Sequence, residues 1–199
     1  MFGHRLYWIE RREAVALEWI LAFDNAVLDG VQQYLRTPFG DFVMPLITAL
    51  GNAGIVWIAL CLLLLCFRKT RRAGIAMALS LLVNLVVCNL LLKPLVGRVR
   101  PFEANAFTGL LISPPGDPSF PSGHTSASFA AAAALWRYHR KMGAAAFVLA
   151  ALIAFSRLYL YVHYPSDVLG GAVVGLAAAW AGSLLEKWLS QRRKNVAKM

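Results

Sequence analysis

Five long apolar runs constrain the fold of this chain more than any other feature of its sequence. Each run, taken with its flanks, has about the length that crosses a bilayer, roughly 17–25 residues. The side chains are mainly Leu, Ala, Val and Ile with no alternation of period two, which favours helices over a β-barrel. The runs cover residues 42–67, 73–92, 122–136, 144–162 and 168–185. A hydrophobic content of 59% and a mean hydropathy of +0.58 also exclude an ordinary soluble domain.

Two segments depart from the pattern of long, uninterrupted apolar runs. Residues 16–35 have a helical pattern interrupted by charged side chains such as Asp24 and Asp29, which favours an amphipathic helix at the membrane interface over a sixth span. The run at 122–136 is short and rich in small residues, so we expect it to be buried among the others. The predicted fold is therefore all-α, a polytopic bundle of five to six transmembrane helices. Its predicted regions are an N-terminal amphipathic region (1–41), a transmembrane domain (42–186) and a basic tail (187–199).

Basic residues predict the orientation of the bundle. Most of the 20 lysines and arginines lie in the segments 68–72, 137–141 and 186–199, which alternating helices place on one face. The positive-inside rule makes that face cytoplasmic, in the inner membrane of the cell. Topology and anionic lipid headgroups account for the net charge of +10, and no nucleic-acid recognition motif accompanies it. The expected partner is therefore the lipid bilayer rather than a nucleic acid, and the oligomeric state stays open.

Polar side chains also gather at the helix ends on the opposite, outward face. They are Lys93, Arg98, Arg100, Ser122, Gly123, His124, Arg157, His163 and Asp167. Positive charge on this face runs against the usual bias, and a bound anion would explain it. Phosphate fits best, because Arg offers paired planar donors and Lys supplies a compact charge.

The stretch PSGH adds a helix start to these cations. Free backbone N–H groups at Ser122 and Gly123 would lie at the positive end of a helix dipole, where an anion binds readily. Glycine at position 123 would let an oxyanion approach the backbone. The alternative is that Ser122 is only an N-cap and Gly123 only a turn residue.

Two histidines in one site suggest different roles. Asp167 follows His163 by four residues, so its carboxylate is able to hold one ring N–H and leave the other nitrogen as a nucleophile. His124 has no carboxylate nearby in sequence and is the candidate acid for the leaving oxygen. Each histidine alone would be read as an interfacial side chain with satisfied hydrogen bonds. Their grouping with four cations favours catalysis.

Three motifs carry a family resemblance. KPLVGRVRP (93–101) is similar to K-x6-R-P, PSGH (121–124) is the second motif unchanged, and SRLYLYVHYPSD (156–167) is similar to S-R-x5-H-x3-D. The chain thus resembles the type 2 phosphatidic acid phosphatase superfamily.

The resemblance implies a role for each matching residue. Phosphate is held at Lys93, Arg100, Ser122, Gly123 and Arg157. His163 attacks phosphorus, Asp167 supports the attack and His124 assists the leaving group. The implied reaction passes through a phosphohistidine without metal or cofactor, and the sequence has no acidic cluster near the histidines to hold magnesium. Arg98 is an additional arginine that the motif does not require, and it is a possible substrate contact.

The expected substrate is a membrane lipid phosphate. Candidates by resemblance are undecaprenyl pyrophosphate, phosphatidylglycerophosphate and phosphatidic acid. No residue in the motifs indicates whether the substrate is a diphosphate or a monophosphate. Compact bacterial members of about this length are often undecaprenyl pyrophosphate phosphatases, so that substrate is favoured. A lipid phosphotransferase is the main alternative activity. Apolar spans argue against a soluble vanadium haloperoxidase, and the intact pair His163 and Asp167 argues against a non-catalytic lipid carrier.

Overall fold

This computed structural model describes residues 18–196. Within them the apolar runs, which lack strand signals, fold into helices joined by turns and loops. The α-helices are α1 (18–30), α2 (Pro38–Leu50), α3 (Ile55–Cys66), α4 (Arg71–Asn84), α5 (Lys93–Val96), α6 (Pro101–Ala104), α7 (Gly123–Tyr138), α8 (Arg140–Tyr159) and α9 (Pro165–Val196). Two π-helical segments, Val31–Leu35 and Leu85–Leu92, continue α1 and α4. No strand occurs within residues 18–196, which confirms the predicted all-α class.

Fewer helices than predicted meet the length and hydropathy of a membrane span. Three do so within the described residues: Arg71–Ala104, Arg140–Tyr159 and Pro165–Arg192. A fourth arises only if α2 and α3 count together, because they are bent by 44° at a short break. The run at 42–67, predicted as one continuous span, is therefore a broken helix. Ala53 and Gly54 adopt positive φ angles in the break, and this interrupts the helical hydrogen bonding.

Helix α7 is the buried centre of the bundle, as predicted. It packs mainly against α9, α8 and α4. Its alanines Ala130, Ala131, Ala132 and Ala134 are fully buried. Small residues on α9 allow the close approach: a Cβ atom added at Gly175 would lie 2.3 Å from the carbonyl oxygen of Ser126.

The predicted polar segments separate to the two ends of the bundle. At one end, Arg72 and Tyr138 both bind Glu186, at 2.9 Å and 2.6 Å, which brings the basic segments 68–72 and 137–141 together. At the other end, backbone hydrogen bonds join the three motifs. Ser119 donates to the carbonyl of Arg98 (2.8 Å), and Ser122 donates to that of Asp167 (3.0 Å).

The N-terminal helix lies against the motif end. On α1, Trp19 and Phe23 are exposed, whereas Asp24 and Leu28 are fully buried. Asp24, read in the sequence as a break in the apolar pattern, thus belongs to the packed face of the helix. Residues 1–17 of the predicted N-terminal region and residues 197–199 of the predicted tail lie outside the described part of the chain.

Candidate active site

A cavity of about 1010 Å³ brings together most of the residues predicted for the site. Its polar lining includes Lys93, Arg100, Gly123, His124, Arg157 and His163. These residues come from α5, the loop after it, both helices α7 and α8, and the turn before α9. Ser122 and Asp167 lie behind this lining, fully buried.

His163 occupies the turn between α8 and α9 and is 1% exposed. Its Nε2 lies 3.2 Å from Nη1 of Arg100. Because a guanidinium group only donates, Nε2 accepts, and the ring proton resides on Nδ1. Burial, followed by the charges of Arg157 and Arg100, holds the pKa of His163 well below its usual 6.5. The imidazole is therefore neutral, with a lone pair on the nitrogen that faces the cations.

Asp167 is fixed next to the other ring nitrogen. Its Oδ2 lies 3.5 Å from Nδ1 of His163 and accepts hydrogen bonds from the hydroxyl of Ser119 (2.5 Å) and the backbone N–H of Tyr164 (2.9 Å). Its Oδ1 accepts from Arg98 at 2.6 Å. Three donors from three segments thus set the orientation of one carboxylate.

Arg98, a possible substrate contact by sequence, does not line the cavity. Its guanidinium instead lies between two buried carboxylates, bonded to Asp24 at 2.7 Å and to Asp167 at 2.6 Å. It also lies over the ring of Tyr164, 4.0 Å from the centroid. The structure therefore places Arg98 behind the site.

Arg157 reaches the cavity from α8 and is almost fully buried. Its Nη1 donates to Thr48 on α2 at 2.6 Å. Its Nε has no acceptor among residues 18–196. A buried guanidinium with a spare donor is costly unless an anion completes it.

Three successive residues at the start of α7 make different contacts. Ser122 caps the helix, accepting from the backbone N–H of Thr125 at 3.4 Å, so its side chain does act as an N-cap. Gly123 lines the cavity, and a Cβ atom there would lie 3.4 Å from Oδ1 of Asn89. His124 pairs through Nε2 with Oδ1 of Asn52, at 2.9 Å.

Asp117 is a residue of the site that the sequence motifs missed. Its carboxylate binds Nζ of Lys93 and, at 2.8 Å, Nη2 of Arg100. Burial alone would raise the pKa of Asp117, but the hydrogen bonds and charges of Lys93 and Arg100 outweigh it and lower the pKa to about 2. The carboxylate of Asp117 thus already pairs with Lys93 and Arg100, the two cations of the first motif. An acidic residue five positions before Ser122, in a chain segment between two cationic motifs, was the available signal.

The arrangement agrees with a family match that covers more than half of the chain. The model of the PAP2 superfamily matches residues 72–191, which include all three motifs. The chain belongs to the PAP2 superfamily. Members of this family are metal-independent phosphatases, so the predicted enzyme class is confirmed.

Two curated relatives resemble this PAP2 chain. An undecaprenyl-diphosphatase of Sulfolobus acidocaldarius is 36% identical over 60% of this chain, and the match spans 58% of its own length. The undecaprenyl-diphosphatase BcrC of Bacillus subtilis is 32% identical over 68% of this chain and 69% of its own.

A solved structure is similar over nearly the whole chain. It is a transmembrane PAP2-type phosphatidylglycerolphosphate phosphatase from Bacillus subtilis, with a TM-score of 0.69 and 28% identity. The similarity covers 94% of each chain. It therefore extends beyond the matched family segment to the helices before residue 72.

Proposed function

We propose that this PAP2 protein is a membrane lipid phosphatase that hydrolyses undecaprenyl pyrophosphate through a phosphohistidine intermediate. One observation carries the proposal: a single cavity joins His163 and its cations to apolar side chains on the outside of the bundle. The apolar residues Ile58, Leu82 and Leu85 line the cavity and are 48%, 57% and 47% exposed. The cavity thus reaches the surface between α3 and α4, where the chain of a lipid would lie while its phosphate enters.

Phosphate binding would use the three cations of the cavity. Lys93 and Arg100 exchange the carboxylate of Asp117 for phosphate oxygens, and Arg157 supplies its Nε, which has no acceptor in the described part of the chain. Gly123 and His124 line the same cavity in the first turn of a 16-residue helix, so their backbone N–H groups would add the helix dipole.

The chemical step begins at Nε2 of His163. As Arg100 turns to the phosphate, the lone pair of Nε2 is freed and forms a bond to phosphorus, and the bond to the leaving oxygen breaks. Oδ2 of Asp167, 3.5 Å from Nδ1, would stabilise the positive charge that develops on the ring.

His124 would act first as the acid for the leaving group and then as the base for the attacking water. The negative charge of the bound substrate would favour the protonated form of His124, which then donates its proton to the departing lipid phosphate oxygen. It next takes a proton from the water that attacks the phosphohistidine, and the phosphorus–nitrogen bond breaks. Inorganic phosphate leaves, and both histidines return to their initial states.

The helix arrangement supports five membrane crossings. Helices α4, α7, α8, α9 and the bent pair α2–α3 each run between the motif end and the basic end. Helix α1 and its π-helical continuation contact the motif end through Asp24 to Ser166 and through Gln32 to Tyr159, so they lie along that end. The basic end is proposed to be cytoplasmic and the active site to face outward across the inner membrane.

Two relatives named as undecaprenyl-diphosphatases support the choice of substrate. The structural relative named as a phosphatidylglycerolphosphate phosphatase supports a second candidate, a lipid monophosphate. A lipid phosphotransferase would form the same phosphohistidine and give the phosphoryl group to a lipid acceptor instead of water.

Release of inorganic phosphate by the full chain in lipid nanodiscs tests the proposal. The panel contains undecaprenyl pyrophosphate, phosphatidylglycerophosphate and phosphatidic acid, each assayed with excess chelator and with His163→Ala as the blank. We expect the largest kcat/KM for undecaprenyl pyrophosphate. Preference for a monophosphate would select the second candidate, and transfer of labelled phosphate to an added acceptor lipid would select the transferase. Activity equal to that of His163→Ala on every lipid would reject a phosphatase.

A further inference from the structure

A buried carboxylate outside the matched family segment is connected to the catalytic end. Asp24 lies on α1, has 0% exposure, and precedes the matched residues 72–191. The reaction scheme gives it no role. A buried carboxylate needs partners, because desolvation of an unpaired charge is expensive.

The partners of Asp24 are two groups next to the site. Its Oδ1 accepts from the backbone N–H of Ser166 at 2.9 Å, and its Oδ2 accepts from the Ser166 hydroxyl at 2.5 Å. Ser166 is the second residue of α9, so Asp24 caps that helix from α1. Its Oδ2 also accepts from Nη2 of Arg98 at 2.7 Å.

Arg98 divides its guanidinium between two carboxylates. Nη2 binds Asp24, while Nη1 binds Oδ1 of Asp167 at 2.6 Å. Both carboxylates are fully buried, so neither exchanges its partner for water. Buried ion networks add little net stability compared with apolar packing. The location of this one, in direct contact with Asp167, favours a role in the site.

We propose that Asp24 is a positioning residue that keeps Arg98 on one oxygen of Asp167, so that the other oxygen stays with Ser119 and Tyr164 and next to His163. The proposal rests on the proposed function, in which Asp167 supports attack by His163. With Asp24 neutral, Arg98 has a single anionic partner and its paired donors turn onto both oxygens of Asp167. Oδ2, now 3.5 Å from Nδ1 of His163, is then drawn away from the imidazole.

This mechanism predicts which kinetic parameter changes. The cations that bind phosphate, Lys93, Arg100 and Arg157, do not contact Asp24 and keep their positions. Substrate binding is therefore preserved while the nucleophile is less well oriented. Loss of a residue that orients a catalytic group typically costs about 10-fold to 100-fold in activity.

Asp24→Asn tests the proposal, because it removes the charge and keeps the shape and the acceptor for Ser166. In nanodiscs we expect kcat on the preferred lipid to fall about 10-fold with KM within about twofold. Asp29→Asn is the matched control, a carboxylate on the exposed face of the same helix. It should leave both parameters unchanged.

A double variant separates positioning from general damage to the fold. In Asp24→Asn/Arg98→Gln the competing cation is gone, so kcat should rise above that of Asp24→Asn. A purely structural role would make the double variant equal to or worse than the single one, and that result overturns the proposal. If Asp24→Asn alone does not fold, the double variant is compared with Arg98→Gln. Equal kcat is expected because Asp24 acts only through Arg98, and a lower kcat in the double variant overturns the proposal.

Asp167→Asn, assayed in parallel, distinguishes this inference from the proposed function. If Asp167→Asn loses kcat while Asp24→Asn keeps it, the role of Asp24 is rejected and the phosphohistidine scheme stands. If Asp167→Asn keeps full kcat, the support of His163 by Asp167 is rejected, and the role of Asp24 with it.

Discussion

Arg100 donates a 2.8 Å hydrogen bond from Nη2 to Oδ1 of Asp117, whose other oxygen binds Lys93. The positive charge of the two cations of the first motif is thus partly neutralised by a carboxylate of the chain itself. Incoming phosphate competes with that carboxylate, so the affinity of the site for anions is reduced by its presence.

Asp117→Asn should therefore tighten anion binding. We expect the inhibition constant of inorganic phosphate to fall about 3-fold to 10-fold, equivalent to roughly 1 kcal/mol, because a neutral amide binds the cations less strongly. The inhibition constant is measured from the rate of substrate hydrolysis at increasing concentrations of added phosphate.

Glu103→Gln is the control for Asp117→Asn, since it removes an exposed carboxylate in the same segment between the motifs. Its inhibition constant should match that of the wild type. A weaker inhibition by phosphate in Asp117→Asn would show that Asp117 organises the cations rather than competing for them.

The two histidines should respond differently to the leaving group. His163→Ala removes the nucleophile, so its turnover should fall to background on any substrate. His124→Ala removes only the acid, so it should lose most activity on a lipid monophosphate and retain a measurable fraction on p-nitrophenyl phosphate. Steady-state rates on both substrates check this.

The reverse pattern would exchange the roles of the two histidines. If His163→Ala hydrolysed the activated ester and His124→Ala did not, His124 would be the nucleophile. Equal melting temperatures for the two variants are the required control.

On the acid side of the pH profile, activity should be lost at a pH below the usual pKa of histidine. Burial and the nearby guanidinium groups lower the pKa of His163 well below 6.5, so the nucleophile stays neutral as the pH falls through that value. Activity is lost only as the pH falls through the lowered pKa. We expect kcat/KM for p-nitrophenyl phosphate to stay level from about pH 7.5 to about pH 5.5. A fall centred near pH 6.5 would contradict a depressed pKa in the free enzyme.

Overpacking between α7 and α9 should destabilise the bundle. Gly175→Val introduces a side chain whose Cβ would lie 2.3 Å from the carbonyl oxygen of Ser126, so the helices must separate. The expected loss is about 1–3 kcal/mol of unfolding free energy, seen as a lower melting temperature in detergent. Gly30→Ala is the control, because no atom of residues 18–196 lies within 4 Å of its added Cβ, and it should melt no lower than the wild type.

Cysteine labelling should report the orientation. Lys69→Cys and Lys141→Cys lie in the basic segments, and Thr108→Cys lies between the first two motifs; all three positions are exposed. With the exposed Cys66 replaced by Ser, an impermeant thiol reagent added to intact cells should label only position 108. Labelling at 69 or 141 without labelling at 108 would invert the proposed topology.

Local patterns were enough to predict the class of the protein and most of the cavity. Apolar runs made the chain helical, and the three motifs supplied Lys93, Arg100, Gly123, Arg157 and both histidines, all of which line one cavity. The alanine-rich run also predicted the buried helix α7, because small residues fit only where helices approach closely. Such features depend on neighbours within a few turns, so the sequence displays them directly.

Contacts between distant segments were decided by the tertiary structure alone. Asp24 and Arg98 are 74 residues apart, and Thr48 and Arg157 are 109 apart. No periodicity links such pairs, and a buried Asp has the same sequence signature as an exposed one. The sequence by itself predicted the cations and histidines that are proposed to bind phosphate. Only packing decided that Arg98 supports Asp167 from behind the site and that Asp117 covers the cations, because burial fixes which charges must be paired.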